Sequence, residues 1–74
     1  MDYATSKQMK FINDMRIAFM DYDEVIGDKE HSVISATDAW NLDKKSASKY
    51  IGANKAEFER CWEALTTHPD VPQN

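Results

Sequence analysis

From Phe11 to Tyr22, apolar side chains recur at steps of one, three and four: Phe11, Ile12, Met15, Ala18, Phe19 and Tyr22. That spacing is the wide face of one α-helix and predicts a helix from about Ser6 to Tyr22. Thr5 and Gln8 stand three apart just before it. This is the T-x-x-Q spacing of a capping box, in which hydroxyl and amide satisfy the first free backbone N–H groups. Met9, Ile17 and Met20 widen the apolar sector beyond what one small core covers, so this helix is expected to meet something outside its own domain.

The helical period fails from Asp23 to Ile34, where Val25-Ile26 and Val33-Ile34 flank the polar stretch 27–32. An acidic loop is predicted there in preference to a hairpin. Ser35 with Asp38 predicts a second cap, opening a short helix through Ala39 and Trp40. Asp43 predicts a third, with Ala47, Tyr50 and Ile51 on one side of the helix that follows. Gly52 is expected to end or bend that helix, with a continuous kinked helix as the other possibility. Asn54 with Glu57 would then start the last helix, where Phe58, Cys61, Trp62 and Leu65 fall at i, i+3, i+4 and i+7. Pro69 and Pro72 close it. The expected fold class is all-α, a small single domain of three to four helices over residues 1–68, with a flexible tail at 69–74.

Seventy-four residues bury only roughly 60–65% of the unfolded surface, so stability amounts to a few kcal/mol unless a partner or second copy adds to it. Hydrophobic residues at 42% and charged residues at 30% belong to a folded domain rather than a disordered one. No apolar run approaches the roughly 20 residues of a membrane span, and no signal-peptide core is visible. The single cysteine, Cys61, excludes an internal disulfide and fits a reducing cytoplasm.

Thirteen acids against nine bases give a net charge of −4, and the imbalance is local. Between Met20 and His31 lie Asp21, Asp23, Glu24, Asp28 and Glu30 against Lys29. Such a surface repels a phosphate backbone and suits a basic protein instead, including one whose basic groove holds DNA.

No catalytic or cofactor-binding constellation is expected. His31 and His68 are 37 positions apart, and with one cysteine they supply no zinc set at motif spacing. Both histidines are expected to face solvent, and Cys61, on an apolar stripe, to be an inert core thiol. The acids lack the order of a calcium loop, and two glycines cannot build a phosphate cradle. Lys44, Lys45, Lys49 and Lys55 offer an alternative function, a weak nucleic-acid-contacting face.

Two segments together resemble a known module. "ATSKQMKFINDM" and "LDKKSASKYIGANKAEF" are similar to a small helical module of phages and prophages of Gram-positive bacteria, of the form A-T-x-K-Q-x-x-F-I, then K-K-x-A-S-x-[FY]-I. Ala4, Thr5, Lys7, Gln8, Phe11 and Ile12 match the first part. Lys44, Lys45, Ala47, Ser48, Tyr50, Ile51, Glu57 and Phe58 match the second. The insert between them falls outside the pattern, and Asp43 and Ser46 depart from the usual threonine and acid.

The resemblance implies a mobile-element origin and no catalytic residue. By size and charge the chain also resembles the small staphylococcal-phage inhibitors of the bacterial sliding clamp. That likeness implies a non-enzymatic inhibitor in the cytoplasm of an infected host, blocking a basic, DNA-handling protein. Asp21, Asp23, Glu24, Asp28 and Glu30 would steer the partner, and Tyr22 and Trp40 would anchor it. Homodimerisation through the first helix is a further expectation. Gln8-Met9-Lys10-Phe11-Ile12 is a degenerate version of a clamp-binding peptide, but its capping box and helical face favour a helix start.

Overall fold

The computed structural model describes residues 2–28 and 30–67. The predicted tail and His68 lie outside them. Among the described residues three helices make an all-α domain: α1 (Ser6–Val25), α2 (Ala36–Trp40) and α3 (Lys44–Thr67). Among the described residues the extended backbone pairs only in an isolated bridge between Tyr3 and Asp43.

The caps predicted at Thr5, Ser35 and Asp43 form. Thr5 Oγ1 accepts from the Gln8 N–H at 3.1 Å, and the Thr5 N–H donates to Gln8 Oε1 at 2.9 Å. Ser35 Oγ accepts from the Asp38 N–H at 3.1 Å, and Asp43 Oδ1 from the Ser46 N–H at 2.7 Å. Gln8 has a second role, donating through Nε2 to the Lys44 carbonyl at 3.2 Å. The Ala4 N–H donates to the Leu42 carbonyl and the Lys44 N–H to that of Asp2. The first turns of α1 and α3 are thus tied side by side.

Tyr22, near the end of α1, meets Arg60 in the last third of α3, so the two long helices run in the same direction. Parallel helices cannot be joined by a tight turn. The chain must return along the whole of α1, about 30 Å at 1.5 Å per residue. Residues 26–43 make that return, with the Ile34 carbonyl at Arg16, midway along α1, and the Leu42 carbonyl at Ala4, just before its start. This return segment carries Val33 onto one core cluster and Ile34 onto another. The Ile34 carbonyl accepts from Arg16 Nε at 2.8 Å.

The larger cluster holds Met15, Phe19, Tyr22, Cys61 and Leu65, with Phe11, Ile26 and Phe58 packed against it. The smaller holds Ile12, Ala39 and Ala47, where the two alanines let α2 and α3 come close to α1. Burying large apolar side chains contributes roughly 1.5–3 kcal/mol each, far more than the exposed Lys10–Asp14 ion pair. The fold rests on these two clusters.

Two boundaries differ from expectation. Helix α1 runs to Val25 rather than Tyr22, because Ile26 follows Tyr22 at i+4 and extends the apolar stripe past Asp23 and Glu24. It stops where Gly27 turns left-handed, at φ 68°. Helix α3 passes through Gly52 without interruption. Ala47, Tyr50 and Ile51 before it and Phe58, Cys61 and Leu65 after it lie on one face, with Ile51 and Phe58 two turns apart, and the packing they make outweighs one glycine. Asn54 is therefore mid-helix, donating to the Tyr50 carbonyl at 2.8 Å, and is not a cap. Trp62 leaves the predicted stripe and is exposed at its flank, 6.5 Å from the Phe58 ring.

Candidate functional site

The acidic segment does not form one solvated patch. Tyr22, expected both on the apolar face of α1 and as a partner anchor, is 2% exposed and belongs to the core. Its hydroxyl donates to Asp28 Oδ1 at 2.5 Å and accepts from Arg60 Nη1 at 3.1 Å. The Asp28 carboxylate raises the Tyr22 pKa, with Arg60 opposing it. Asp23 also turns inward. Its Oδ2 accepts the His31 backbone N–H, and its Oδ1 meets Nδ1 of the same residue, each at 2.6 Å.

His31 therefore contradicts the expectation that it faces solvent. Its side chain is 8% exposed, stacked on Phe19 at 5.0 Å between centroids and met edge-on by Tyr22 at 5.5 Å. On the other ring nitrogen, Nε2 lies 2.5 Å from Glu57 Oε2 and 3.7 Å from Cys61 Sγ. Arg60 grips the same carboxylate with two donors, Nε to Oε1 at 2.8 Å and Nη2 to Oε2 at 2.7 Å. The result is one continuous polar chain, Asp28–Tyr22–Arg60–Glu57–His31–Asp23.

Burial opposes a charge on the His31 ring, but the two carboxylates outweigh it and lift its pKa above the ordinary histidine value. Burial likewise pushes the Asp23 carboxyl up, and the ring and backbone bonds from His31 prevail and hold it down. Among the described residues, His31, Glu57 and Cys61 form a group able to hold a metal ion, with ligand atoms within 4.8 Å of one another.

The sequence could not reveal this centre as a whole. Glu57 and Cys61 stand at i and i+4 on one face of α3, which is a local signal. The histidine that completes the group comes from the return segment 26 positions earlier, at a separation no periodicity records.

Asp21, Glu24, Glu30 and Asp28 are exposed, although Asp28 has Tyr22 as a partner. Two apolar side chains join Asp21 and Glu24 on the outward side of α1. Ile17 is 48% and Met20 51% exposed. With Asn13 they recur at i, i+4, i+7, i+8 and i+11, opposite the buried Met15, Ala18, Phe19 and Tyr22. Trp40 is 74% exposed and borders a groove of roughly 630 Å³ with Tyr3, Ala4, Ser6, Met9 and Asn41. Met9 connects that groove to α1.

Lys44, Lys45, Lys49 and Lys55 are exposed on α3. No helix of the described residues is long and apolar enough to cross a membrane. The chain matches no protein-family profile, no curated protein and no solved structure.

Proposed function

We infer that this chain is a non-enzymatic protein that works by occupying a protein partner, with the outward face of α1 as its docking surface. The observation that carries this reading is the pairing, on one helix face, of half-exposed Ile17 and Met20 with Asp21 and Glu24. The apolar pair supplies contact area, and the acids steer association toward a basic surface. Trp40 is the aromatic anchor at the edge of this region. A second copy of the chain is the weaker match, because a two-fold contact through this face would bring Asp21 and Glu24 close to their own copies.

The finer reading is a phage-type protein that blocks a basic, DNA-handling host protein in the bacterial cytoplasm, with the DNA polymerase sliding clamp the first partner to test. Clamp immobilised on a sensor surface should capture the chain at low salt and release it at high salt. Combining Asp21→Lys with Glu24→Lys should slow association by about tenfold at low salt. Absence of binding by the folded chain, or an association rate within about twofold of wild type for the reversed-charge variant, would contradict it. Labelled duplex DNA serves as the control. Retention of DNA by the chain alone would favour the alternative, phosphate contact through Lys44, Lys45, Lys49 and Lys55.

A further inference from the structure

We propose that His31, Glu57 and Cys61 form a binding site for a divalent transition metal, with Zn²⁺ the ion their chemistry fits, supported by Asp23 behind the histidine. Imidazole, carboxylate and thiolate are the three protein ligand types that zinc takes, and three of them leave a fourth position for water.

The spacing already approaches a tetrahedral site. With Zn–N at about 2.0–2.1 Å and Zn–S at about 2.3 Å, nitrogen and sulfur ligands sit roughly 3.5 Å apart. Nε2 of His31 and Sγ of Cys61 are 3.7 Å apart. Glu57 reaches the same point from one turn earlier on α3. Its Oε2 lies 2.5 Å from Nε2 and has to open to roughly 3.4 Å, within the reach of a side-chain rotation. Arg60 can stay on Oε1, which it holds through Nε.

The surroundings are those of a prepared ligand. Asp23 Oδ1 accepts from Nδ1 of His31, which leaves Nε2 as the coordinating atom, the carboxylate–histidine arrangement that accompanies most metal-bound imidazoles. The Asp23 bond to the His31 backbone N–H fixes the residue further. Phe19 and Tyr22 set the plane of the ring and limit water around it.

The charges also close. With Zn²⁺ bound, a neutral imidazole, a thiolate and Glu57 ligate the ion while Asp23 and Arg60 offset each other. Zinc takes the imidazole and the thiol in their deprotonated forms, and the liganded centre is neutral. The metal would pin the return segment to α3 across the larger core cluster.

Co²⁺ titration of the reduced full chain tests this directly. The expected result is a one-to-one spectrum with visible tetrahedral bands and a near-ultraviolet thiolate-to-cobalt band, bleached by Zn²⁺, with the thermal midpoint raised by Zn²⁺. Cys61→Ser should abolish the thiolate band. His31→Gln and Glu57→Gln should each weaken Co²⁺ binding by tenfold or more, and Asp23→Asn by about 10–100-fold with the thiolate band retained. No thiolate band from a natively folded chain in excess Co²⁺ would overturn the proposal. So would a band whose affinity ignores His31→Gln and Glu57→Gln, which is the behaviour of an isolated cysteine. Should those variants fail to fold, X-ray absorption at the zinc edge of the wild-type chain decides: one sulfur with nitrogen and oxygen neighbours supports the site, and a shell without sulfur overturns it.

Discussion

Arg60 on α3 donates through Nη1 to the hydroxyl of Tyr22 on α1, 3.1 Å away, and its guanidinium carbon stands 5.0 Å from the centre of the same ring. This contact closes the far end of two parallel helices whose near ends are tied by Gln8 and Lys44. Because Tyr22 passes the contact on to Asp28, the start of the return segment depends on it. Tyr22→Phe keeps the buried ring but removes the donor to Asp28 and the acceptor for Arg60. It should lower the thermal midpoint while leaving the helical circular dichroism of the folded state unchanged. An unchanged midpoint would show that this polar chain contributes no stability.

The two glycines predict opposite outcomes. At Gly52 a methyl group would meet no atom within 4 Å beyond its chain neighbours and the backbone of its own helix turn, and φ is not positive. Gly52→Ala should therefore stabilise by roughly 0.5–1 kcal/mol through helix propensity. At Gly27, with φ 68°, an added Cβ would lie 3.3 Å from the Asp23 carbonyl oxygen. Gly27→Ala should destabilise by roughly 1–2 kcal/mol. Urea unfolding of both variants checks the pair, and a loss of stability in Gly52→Ala would mean that α3 breaks there after all.

Buried and exposed apolar residues of α1 should separate cleanly. Ile12 and Met15 are fully buried, so truncating either to alanine should cost about 2–5 kcal/mol. That is comparable to the whole stability of a domain this size, and both variants should be largely unfolded at room temperature. Ile17→Ala should change stability by no more than about 0.5 kcal/mol. Chemical denaturation monitored by tryptophan fluorescence reads all three.

Acid should weaken the start of α3 through Asp43. The Ser46 backbone N–H bond, followed by the Ser46 side chain, holds the Asp43 carboxyl below its ordinary value of 3.8. A depressed folded-state pKa contributes stability that is fully present above the unfolded value and is lost as pH falls through the folded one. Asp43→Asn retains a good cap without the titration. Between about pH 5 and pH 2 the wild-type midpoint should fall further than that of the variant. Parallel curves would contradict the assignment.

How much of this was legible in the sequence depends on range. The caps at Thr5, Ser35 and Asp43 could be read because each is an i to i+3 interaction between residue types with few other uses in that pattern. The buried face from Phe11 to Tyr22 could be read because one helix period defines it. Gly52 misled because a glycine signals a helix end only when packing on either side allows one, and Ile51 and Phe58 here do not. Asp23 and Asp28 looked like surface charge because their pairings, Asp23 with His31 and Tyr22 with Asp28, join α1 to a return path whose course follows from the parallel arrangement of α1 and α3. The exposure of Ile17 and Met20, in contrast, was already visible as an apolar sector too wide for one core.

Titrating purified sliding clamp with the wild-type chain and with a variant combining Ile17→Ala and Met20→Ala, by calorimetry at low salt, tests the docking surface most directly. The variant should melt with the wild type and bind at least about tenfold more weakly. Equal affinity for the clamp, or no binding by either folded protein, would contradict the proposed role of the outward face of α1.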